Sequence, residues 1–168
     1  CAQPEEILDM IFGECAPENE FDYDDVSPVY VPFSGLSSYF LHVEENCSFV
    51  DHCCNEEPNE NLAFMAKVRL NAWGYPSRIV SHANPIITAE EDSLKKWEWA
   101  RNWVMVSIPP FGLNVNQKDE NGRNKEIDIA EFLINRFMED ENIKSAYLVL
   151  PLSFCYSSTF EHLRKKVV

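Results

Sequence analysis

Basic residues are scarce in this sequence of 168 residues, which carries 14 of them against 28 acidic residues and has a net charge of -14. Proteins that track the phosphates of nucleic acids depend strongly on Lys and Arg for their affinity. A large phosphate-binding surface on this part of the chain is therefore disfavoured. The composition does not exclude a partner domain that supplies these basic residues.

Long apolar runs and a secretory leader are also missing. No run reaches the roughly 18 residues that a membrane-spanning helix needs, although 45% of the residues are hydrophobic. The chain does not open on a basic segment followed by an apolar one, as a signal peptide would. We therefore expect a cytoplasmic protein that makes no membrane contact. Because the chain begins at Cys1 and both ends look cut from a larger pattern, we also expect a fragment of a longer protein.

The six cysteines lack the spacing of a metal site. Structural zinc sites pair cysteines about two to four residues apart and need a second pair of ligands, whereas Cys53 and Cys54 are adjacent and follow His52. We expect no metal, and we interpret the thiols as buried side chains in a reducing compartment. The four histidines are scattered over different predicted elements, and none adjoins a Ser or Cys in a nucleophile turn.

Apolar, β-rich segments alternate along the chain with segments of helical spacing. The predicted strands cover residues 26–33, 48–54, 78–81, 103–108 and 146–152. The predicted helices cover residues 4–12, 39–45, 62–73, 127–137 and 157–166. Strands that alternate with helices and are apolar on both faces predict a mostly parallel sheet covered by helices on both faces. We expect one α/β domain over residues 1–168.

Turn signals mark the ends of these elements. Asn59 is the N-cap candidate of the helix that Gly74 ends, and the polar segment NEEPNE around Asn59 is predicted to be a turn. The segment from Gly112 to Glu126 is rich in Asn, Gly and charge, so we predict a mobile loop there. Ligands of parallel sheets bind at the carboxyl ends of the strands, near the point where the strand order reverses. The loops that leave the strands are therefore the candidates for a site.

Four of these loops resemble, in chain order, motifs of the adenine-specific (N-6) DNA methyltransferases, and most closely those of the modification subunits of type I restriction systems. VPFSGLSSYFL is similar to the family's Asp-Pro-Phe-x-Gly-x-Gly-Gly-Phe-Leu loop. NEEPNENLAFMAKVRLNAWG resembles the Glu-x-Asn-Pro segment with its helix, and HANPI stands where the family has Gly-Asp-Ser-Leu. SIPPFG is similar to the Ser-Asn-Pro-Pro-Phe-Gly loop.

Two further segments extend the resemblance over nearly the whole chain. AQPEEILDMIFGE is similar to the family's Thr-Pro-containing opening segment, and AYLVLPLSF to its strand that ends in Leu-Pro-x-x-Phe. The resemblance implies a Rossmann-like class I S-adenosylmethionine-dependent methyltransferase fold, truncated because the later strands and a target-recognition region are absent. It also implies DNA as a partner, together with the specificity and restriction subunits of a restriction-modification system.

The family binds S-adenosylmethionine, and the resemblance assigns this cofactor to the opening segment and the first three loops. The implied cofactor-binding residues are Gln3, Pro4, Phe33, Gly35, Ser37, Glu57 and Asn84. The first loop is glycine-rich in the family because its backbone comes very close to the methionine part. Ser37 here replaces a glycine, and a positive φ would cost it about 1–2 kcal/mol. Val31 replaces the family's acidic residue, so an expected carboxylate is missing.

The second and third loops keep more of the implied chemistry. Glu57 aligns with the carboxylate that binds the two ribose hydroxyls, and Glu56 is its neighbour one position away. Glu57 equally fits a solvated glutamate of a turn. Asn84 replaces the acid that accepts a hydrogen bond from the adenine amino group, and an amide oxygen can still accept that bond.

The fourth loop carries the implied catalytic residues Ile108, Pro109, Pro110 and Phe111. Family members flip the target adenine out of the duplex, stack it on the aromatic ring and hold its amino group with an Asn or Asp side chain and a proline carbonyl. Those acceptors orient the nitrogen and stabilise the charge that develops during methyl transfer. Ile108 stands at the Asn or Asp position and has no acceptor, so we expect a loss on the order of 10²-fold or more in rate.

Three hypotheses remain open at this point. The first is an enzyme that binds S-adenosylmethionine and methylates adenine in DNA, with Phe111 stacking on the base and Pro109 holding its amino group. The second is a non-catalytic relative that keeps the fold for protein assembly or for the architecture of a DNA complex. The third is methylation of another planar amide or amine, which suffers equally from Ile108.

Overall fold

The structure is a computed structural model that describes residues 28–38, 53–75, 80–86, 103–118 and 122–167. Within these ranges the strands are β1 (Val29–Pro32), β2 (Cys53–Glu57), β3 (Val80–His82), β4 (Trp103–Ser107), β5 (Asn114–Lys118), β6 (Asn124–Asp128) and β7 (Ile143–Leu148). The α-helices are α1 (Glu60–Ala72), α2 (Ile129–Glu139), α3 (Ser153–Tyr156) and α4 (Glu161–Arg164). A 3₁₀ turn covers Ser158–Phe160.

Five of these strands form a parallel sheet in the order β3-β2-β1-β4-β7. The chain places β2 and then β3 on one side of β1, and it then returns to place β4 and β7 on the other side. The order therefore reverses between β1 and β4. A reversal of this kind leaves a crevice outside the carboxyl ends of the two strands, where parallel sheets bind ligands. The predicted α/β fold with a mostly parallel sheet is confirmed.

One long helix covers each face of the sheet, α1 on one face and α2 on the other. Successive side chains of a strand point to opposite faces, so each strand contributes to both cores. Val31 belongs to a cluster under α1, whereas its neighbour Tyr30 belongs to a cluster under α2. The α1-side cluster consists of Val31, Cys53, Ala63, Ala66, Leu70, Val80 and Val106. The α2-side cluster consists of Tyr30, Phe33, Trp103, Met105, Val115, Ile127, Ile129, Phe132, Leu133 and Ile143.

Both long helices begin at a side-chain cap. Asn59 accepts hydrogen bonds from two backbone N–H groups of the first turn of α1, and Asp128 accepts one from the first turn of α2. These bonds satisfy N–H groups that have no partner within the helix. α1 ends at Ala72, and Gly74 follows with a φ of 86°, which glycine adopts without steric cost. The predicted cap and end of α1 are confirmed.

The segment predicted to be a mobile loop forms the antiparallel β5–β6 hairpin instead. Val115 and Ile127 are direct cross-strand partners, and each is 4% exposed. Both pack into the α2-side cluster, so two apolar side chains anchor an otherwise polar hairpin to the core. The prediction was wrong because it weighed the composition of the whole segment. Strand alternation instead collects the few apolar side chains on one face.

Two element boundaries also differ from the prediction. β2 runs to Glu57, so Asn55, Glu56 and Glu57 belong to the strand and not to a turn. The two carboxylates are tolerated in the sheet because both accept hydrogen bonds from groups of β1 and its loop. Ile127 lies in β6, and the helix that was predicted to include it begins at Ile129.

The last part of the chain forms shorter elements than predicted. β7 ends at Leu148, ahead of Pro151, which has no N–H to donate to a ladder. The helix predicted over residues 157–166 is split into the 3₁₀ turn, capped by Ser157, and α4. Phe160 and Leu163 pack against Ile134 of α2 and attach this segment to the core.

Several predicted features lie outside the described residues. They are the opening helix with the predicted site residues Gln3 and Pro4, the helix over residues 39–45, and the first residues of the strands predicted at 26–33, 48–54 and 78–81. In the part of the chain that is described, no helix is both long enough and apolar enough to cross a membrane.

A matched pair of valine substitutions tests the packing of the hairpin. Val115→Ala should lower the free energy of unfolding by about 2 kcal/mol, because buried methyl groups are lost and a small cavity remains. Val68→Ala on α1, where the side chain is 52% exposed, should change it by less than about 0.5 kcal/mol. Urea unfolding followed by circular dichroism measures both values. Equal effects of the two substitutions would show that the hairpin does not pack on the core.

Candidate functional site at the carboxyl edge of the sheet

Hydrogen bonds link the carboxyl ends of β1, β2, β3 and β4 at one edge of the sheet. In the loop after β1, the backbone N–H of Ser34 donates to the carbonyl of Glu56 at 3.0 Å. The first residue after β3 donates its backbone N–H to the carbonyl of Glu57 at 3.3 Å. At the end of β4, the hydroxyl of Ser107 donates to the carbonyl of Pro32 at 2.8 Å. The loops that were predicted to form a site are therefore connected to one another.

The loop after β1 turns through three residues with positive φ, namely Phe33 at 60°, Gly35 at 57° and Ser37 at 53°. Glycine adopts this conformation freely, whereas each of the other two residues carries strain of about 1–2 kcal/mol. Such strain persists only where the surroundings hold the backbone in place. Ser37 is fully buried, and its N–H donates to the carbonyl of Ser34 at 2.9 Å. The sharp turn is thus formed even though a serine occupies one of its left-handed positions.

Glu57 holds the loops after β1 and β2 together. One carboxylate oxygen accepts the backbone N–H of Gly35 and the other accepts that of Asn59, each at 2.8 Å. Glu57 is 5% exposed, and a carboxylate this buried requires strong donors of this kind. It is therefore not a solvated turn residue. Each of its oxygens has a second lone pair with which it can accept from a ligand.

Glu56 has a different role from its neighbour, because it lies on the α2 face of the sheet. Its carboxylate accepts the Tyr30 hydroxyl at 2.7 Å, and the Arg136 guanidinium lies 5.4 Å from the centre of the Tyr30 ring. Burial, and secondarily the negative charge of Glu56, raises the pKa of the Cys54 thiol to about 12. The same two causes raise the pKa of Tyr30. The side chain of Glu56 therefore belongs to a buried polar cluster, and only its backbone carbonyl takes part in the edge.

The loop after β4 contains the predicted catalytic residues. Ile108 is half-buried and packs against the α1-side cluster, so an apolar side chain stands where the resemblance implied an acceptor. Pro109 is buried, whereas Pro110 is exposed and accepts the N–H of Leu113 at 3.3 Å. This tight turn leaves Phe111 54% exposed. The aromatic ring is accessible to a planar ligand, and Ile108 offers that ligand no hydrogen bond.

The remaining predicted cofactor residues are engaged elsewhere. Oδ1 of Asn84 accepts the backbone N–H of Ile86 at 3.1 Å, which uses one of its lone pairs in a local turn. The side chain of Phe33 packs in the α2-side cluster. Val31, where the resemblance implied an acid, is 2% exposed in the α1-side cluster. Phe33 and Val31 therefore belong to the core, whereas Glu57 and Asn84 accept hydrogen bonds from the loop backbone.

Two residues that the sequence did not single out also shape this edge. Ser107 bridges β1 and β4, as described above. Arg69 of α1 donates from Nη1 to the hydroxyl of Ser38 at 2.8 Å, and its guanidinium lies 4.4 Å from the centre of the Trp73 ring. Arg69 and Ser38 are 31 residues apart, and helical spacing alone does not indicate what a side chain contacts at that separation. The sequence indicated only that a loop of small residues follows β1.

The chain was compared with protein-family models, with curated proteins and with solved structures, and none of the three comparisons found a match. Within the described ranges, His, Cys, Asp and Glu form no group of three or more that could hold a metal ion. A function for this edge therefore rests on its own residues and their geometry.

The buried polar cluster predicts unequal reactivity of the described thiols. Cys54 has a pKa of about 12 and stays protonated at pH 8, whereas Cys155 is exposed, contrary to the expectation of buried thiols. Iodoacetamide reacts with thiolates, so at about pH 8 it should modify the exposed Cys155 and leave Cys54 unmodified until urea unfolds the protein. Peptide mass mapping measures the labelling, with the buried Cys53 as an unreactive control. Equal labelling of Cys54 and Cys155 in the folded protein would contradict a closed cluster.

Proposed function

We propose that this chain is a Rossmann-like methyltransferase domain of the N-6 adenine DNA methyltransferase type that binds an adenine nucleoside such as S-adenosylmethionine and is impaired in methyl transfer. The observation that carries the proposal is the strand order β3-β2-β1-β4-β7. Its reversal between β1 and β4 has the loop with Gly35 on one side and the loop with Ile108 on the other. In doubly wound sheets the ligand binds at such a reversal.

Glu57 supports the nucleoside part of the proposal. A ribose diol donates two hydroxyl hydrogen bonds, and a carboxylate that follows the second strand is suited to accept them. The N–H groups of Gly35 and Asn59 already orient the Glu57 carboxylate. Because this acceptor is preorganised, little conformational freedom is lost when a ligand binds to it.

The amino-acid part of S-adenosylmethionine has weaker support. A ligand ammonium would need an anionic partner, but Val31 is apolar and buried in the core. Ser37 adds a Cβ at a position where the family has a glycine. We therefore infer that the site favours the nucleoside half of the cofactor over its methionine half.

Ile108 supports the impaired transfer. Methyl transfer to an amino nitrogen is accelerated by acceptors that orient its lone pair and stabilise the developing positive charge. Ile108 packs against the α1-side cluster and supplies only apolar surface. Phe111 still presents a ring on which a base can stack. A domain of this kind binds adenine but transfers a methyl group slower, on the order of 10²-fold or more, than one with an acceptor at position 108.

The charge of the chain shapes the proposed biological setting. With a net charge of -14, this part has too little positive charge to hold DNA tightly by itself. We propose that the domain belongs to a larger cytoplasmic assembly of the restriction-modification type. In that assembly other regions, or the specificity and restriction subunits, would hold the DNA.

A second candidate function is a non-catalytic assembly module. Phe64, Met65 and Val68 are 66%, 54% and 52% exposed and lie on the side of α1 that faces away from the sheet. Exposed apolar side chains grouped on one surface are typical of protein interfaces. This candidate keeps the fold and assigns no chemistry to the β4 loop.

Calorimetric titration with adenosine tests the proposed nucleoside site. The native chain should bind adenosine saturably, and Glu57→Gln should weaken the binding about tenfold or more, because a neutral amide replaces a charged acceptor. Glu60→Gln, at an exposed position in the first turn of α1, is the matched control and should leave the affinity unchanged. Absence of adenosine binding would contradict the proposed function. Binding that Glu57→Gln does not affect would contradict the assigned position of the ribose.

A further inference from the structure

The pairing of β1 with β4 stops before either strand ends. Its last registered pair is Tyr30 with Met105, whereas β1 continues to Pro32 and β4 to Ser107. The N–H and C=O of one strand residue point toward the same neighbouring strand, and the Pro32 carbonyl faces β4, where it accepts the Ser107 hydroxyl. A proline has no N–H, so Pro32 cannot donate to β4 and continue the ladder. Pro32 therefore ends the ladder where the strand order reverses.

The side chain of Ser107 connects the two strands beyond that point. Its hydroxyl donates to the Pro32 carbonyl at 2.8 Å, and Ser107 is 1% exposed. Its own backbone carbonyl accepts the N–H of Val149 after β7 at 3.0 Å. At the same level β1 is paired with β2 through Glu56, and β4 is paired with β7 through Leu148. Ser107 therefore joins the two halves of the sheet at the base of the crevice.

The bond from Ser107 fixes the peptide plane that precedes Phe33. The carbonyl of Pro32 and the nitrogen of Phe33 belong to one planar peptide group, and rotation between that plane and the Phe33 Cα is the φ angle of Phe33. This angle is 60°. In a residue other than glycine such a value is strained and persists only where the surroundings hold the backbone. Ser107 supplies that hold from the β4 side, and without it we expect the peptide plane to relax.

The strained turn at Phe33 brings Gly35 to the Glu57 carboxylate. The N–H of Gly35 donates to one oxygen of Glu57 at 2.8 Å, and the N–H of Asn59 donates to the other at 2.8 Å. Asn59 lies in the loop after β2 and does not depend on the turn after β1. Relaxation at Phe33 would therefore withdraw one of the two donors that orient the carboxylate and leave the other in place.

We propose that Ser107 is a positioning residue for the nucleoside site. By holding the peptide group between Pro32 and Phe33, it keeps Gly35 on Glu57 and so preserves the orientation in which the carboxylate accepts the ribose hydroxyls. The inference rests on the proposed function, which assigns the ribose to Glu57. Because Ser107 is buried, it acts through the loop and not by contact with the ligand.

Calorimetric titration with adenosine tests this role. Ser107→Ala should weaken the binding about tenfold, because the carboxylate loses part of its preorganisation. Ser107→Thr keeps the hydroxyl and should restore most of the affinity. Ser145→Ala makes the same change of side chain at a half-buried position of β7, opposite Val104 and away from the carboxyl edge. This control should bind adenosine as the native chain does.

Amide hydrogen exchange, followed by nuclear magnetic resonance, separates positioning from a general loss of stability. In Ser107→Ala the N–H of Gly35 should exchange on the order of tenfold faster, because its turn opens locally. The N–H of Asn59, which bonds to the same carboxylate, should keep its native rate. A merely structural effect would accelerate the exchange of both groups.

The outcomes distinguish this inference from the proposed function. If the native chain binds adenosine and Ser107→Ala binds it equally well, only the role of Ser107 is wrong. Equal acceleration of the Gly35 and Asn59 amides, or a folded Ser107→Thr that binds as weakly as Ser107→Ala, would also overturn that role. If the native chain does not bind adenosine, both proposals are wrong.

Thermal melting checks that each variant is folded. Should Ser107→Ala fail to fold, Ser107→Cys takes its place, because a thiol is a weaker donor than a hydroxyl. Ser107→Cys should then show a partial loss of adenosine affinity and a partial acceleration at Gly35. Native values for both would overturn the role of Ser107.

Discussion

The parallel pairing of β1 with β2 on one side and with β4 on the other is the constraint on which the rest of this structure depends. Parallel neighbours place all their carboxyl ends at one edge, and the chain must return over a face of the sheet before it can add the next strand. β1 is four residues long and sends alternate side chains into the clusters under α1 and α2. Because β1 is central, its loop lies beside the ends of both β2 and β4. The hydrogen bonds of Glu57 and Ser107 follow from that position.

At this edge, backbone N–H groups hold one buried carboxylate, whereas two apolar side chains pack on the core. Gly35, Glu57 and Asn59 form a preorganised carboxylate site, in which the charge is satisfied by backbone N–H groups. Val31 and Ile108 stand where the resemblance implied polar side chains, and both pack into or against the same α1-side cluster. These two apolar side chains extend the core toward the edge.

How much of this arrangement could be predicted from the sequence depended on the range of the interactions. Local signals were reliable, since Asn59 caps α1 and Gly74 follows its end, and the alternation of strands and helices predicted the parallel sheet. The prediction of a loop over residues 112–126 was wrong, because it rested on polar composition. Two buried residues, Val115 and Ile127, are enough to hold a hairpin there. Contacts between distant residues, such as Arg69 with Ser38, are set by how α1 packs on the sheet. Nothing in the local pattern of either residue determines that contact.

The central claim is that this edge keeps a nucleoside site and lacks the acceptor needed for methyl transfer. Transfer of labelled methyl groups from S-adenosylmethionine to adenine-containing DNA tests it most directly, with the native chain compared with Ile108→Asn and with the apolar control Ile108→Val. We predict that Ile108→Asn is faster than the native chain, on the order of 10²-fold, and that Ile108→Val is no faster. Equal rates for the native chain and Ile108→Asn would contradict the role assigned to position 108.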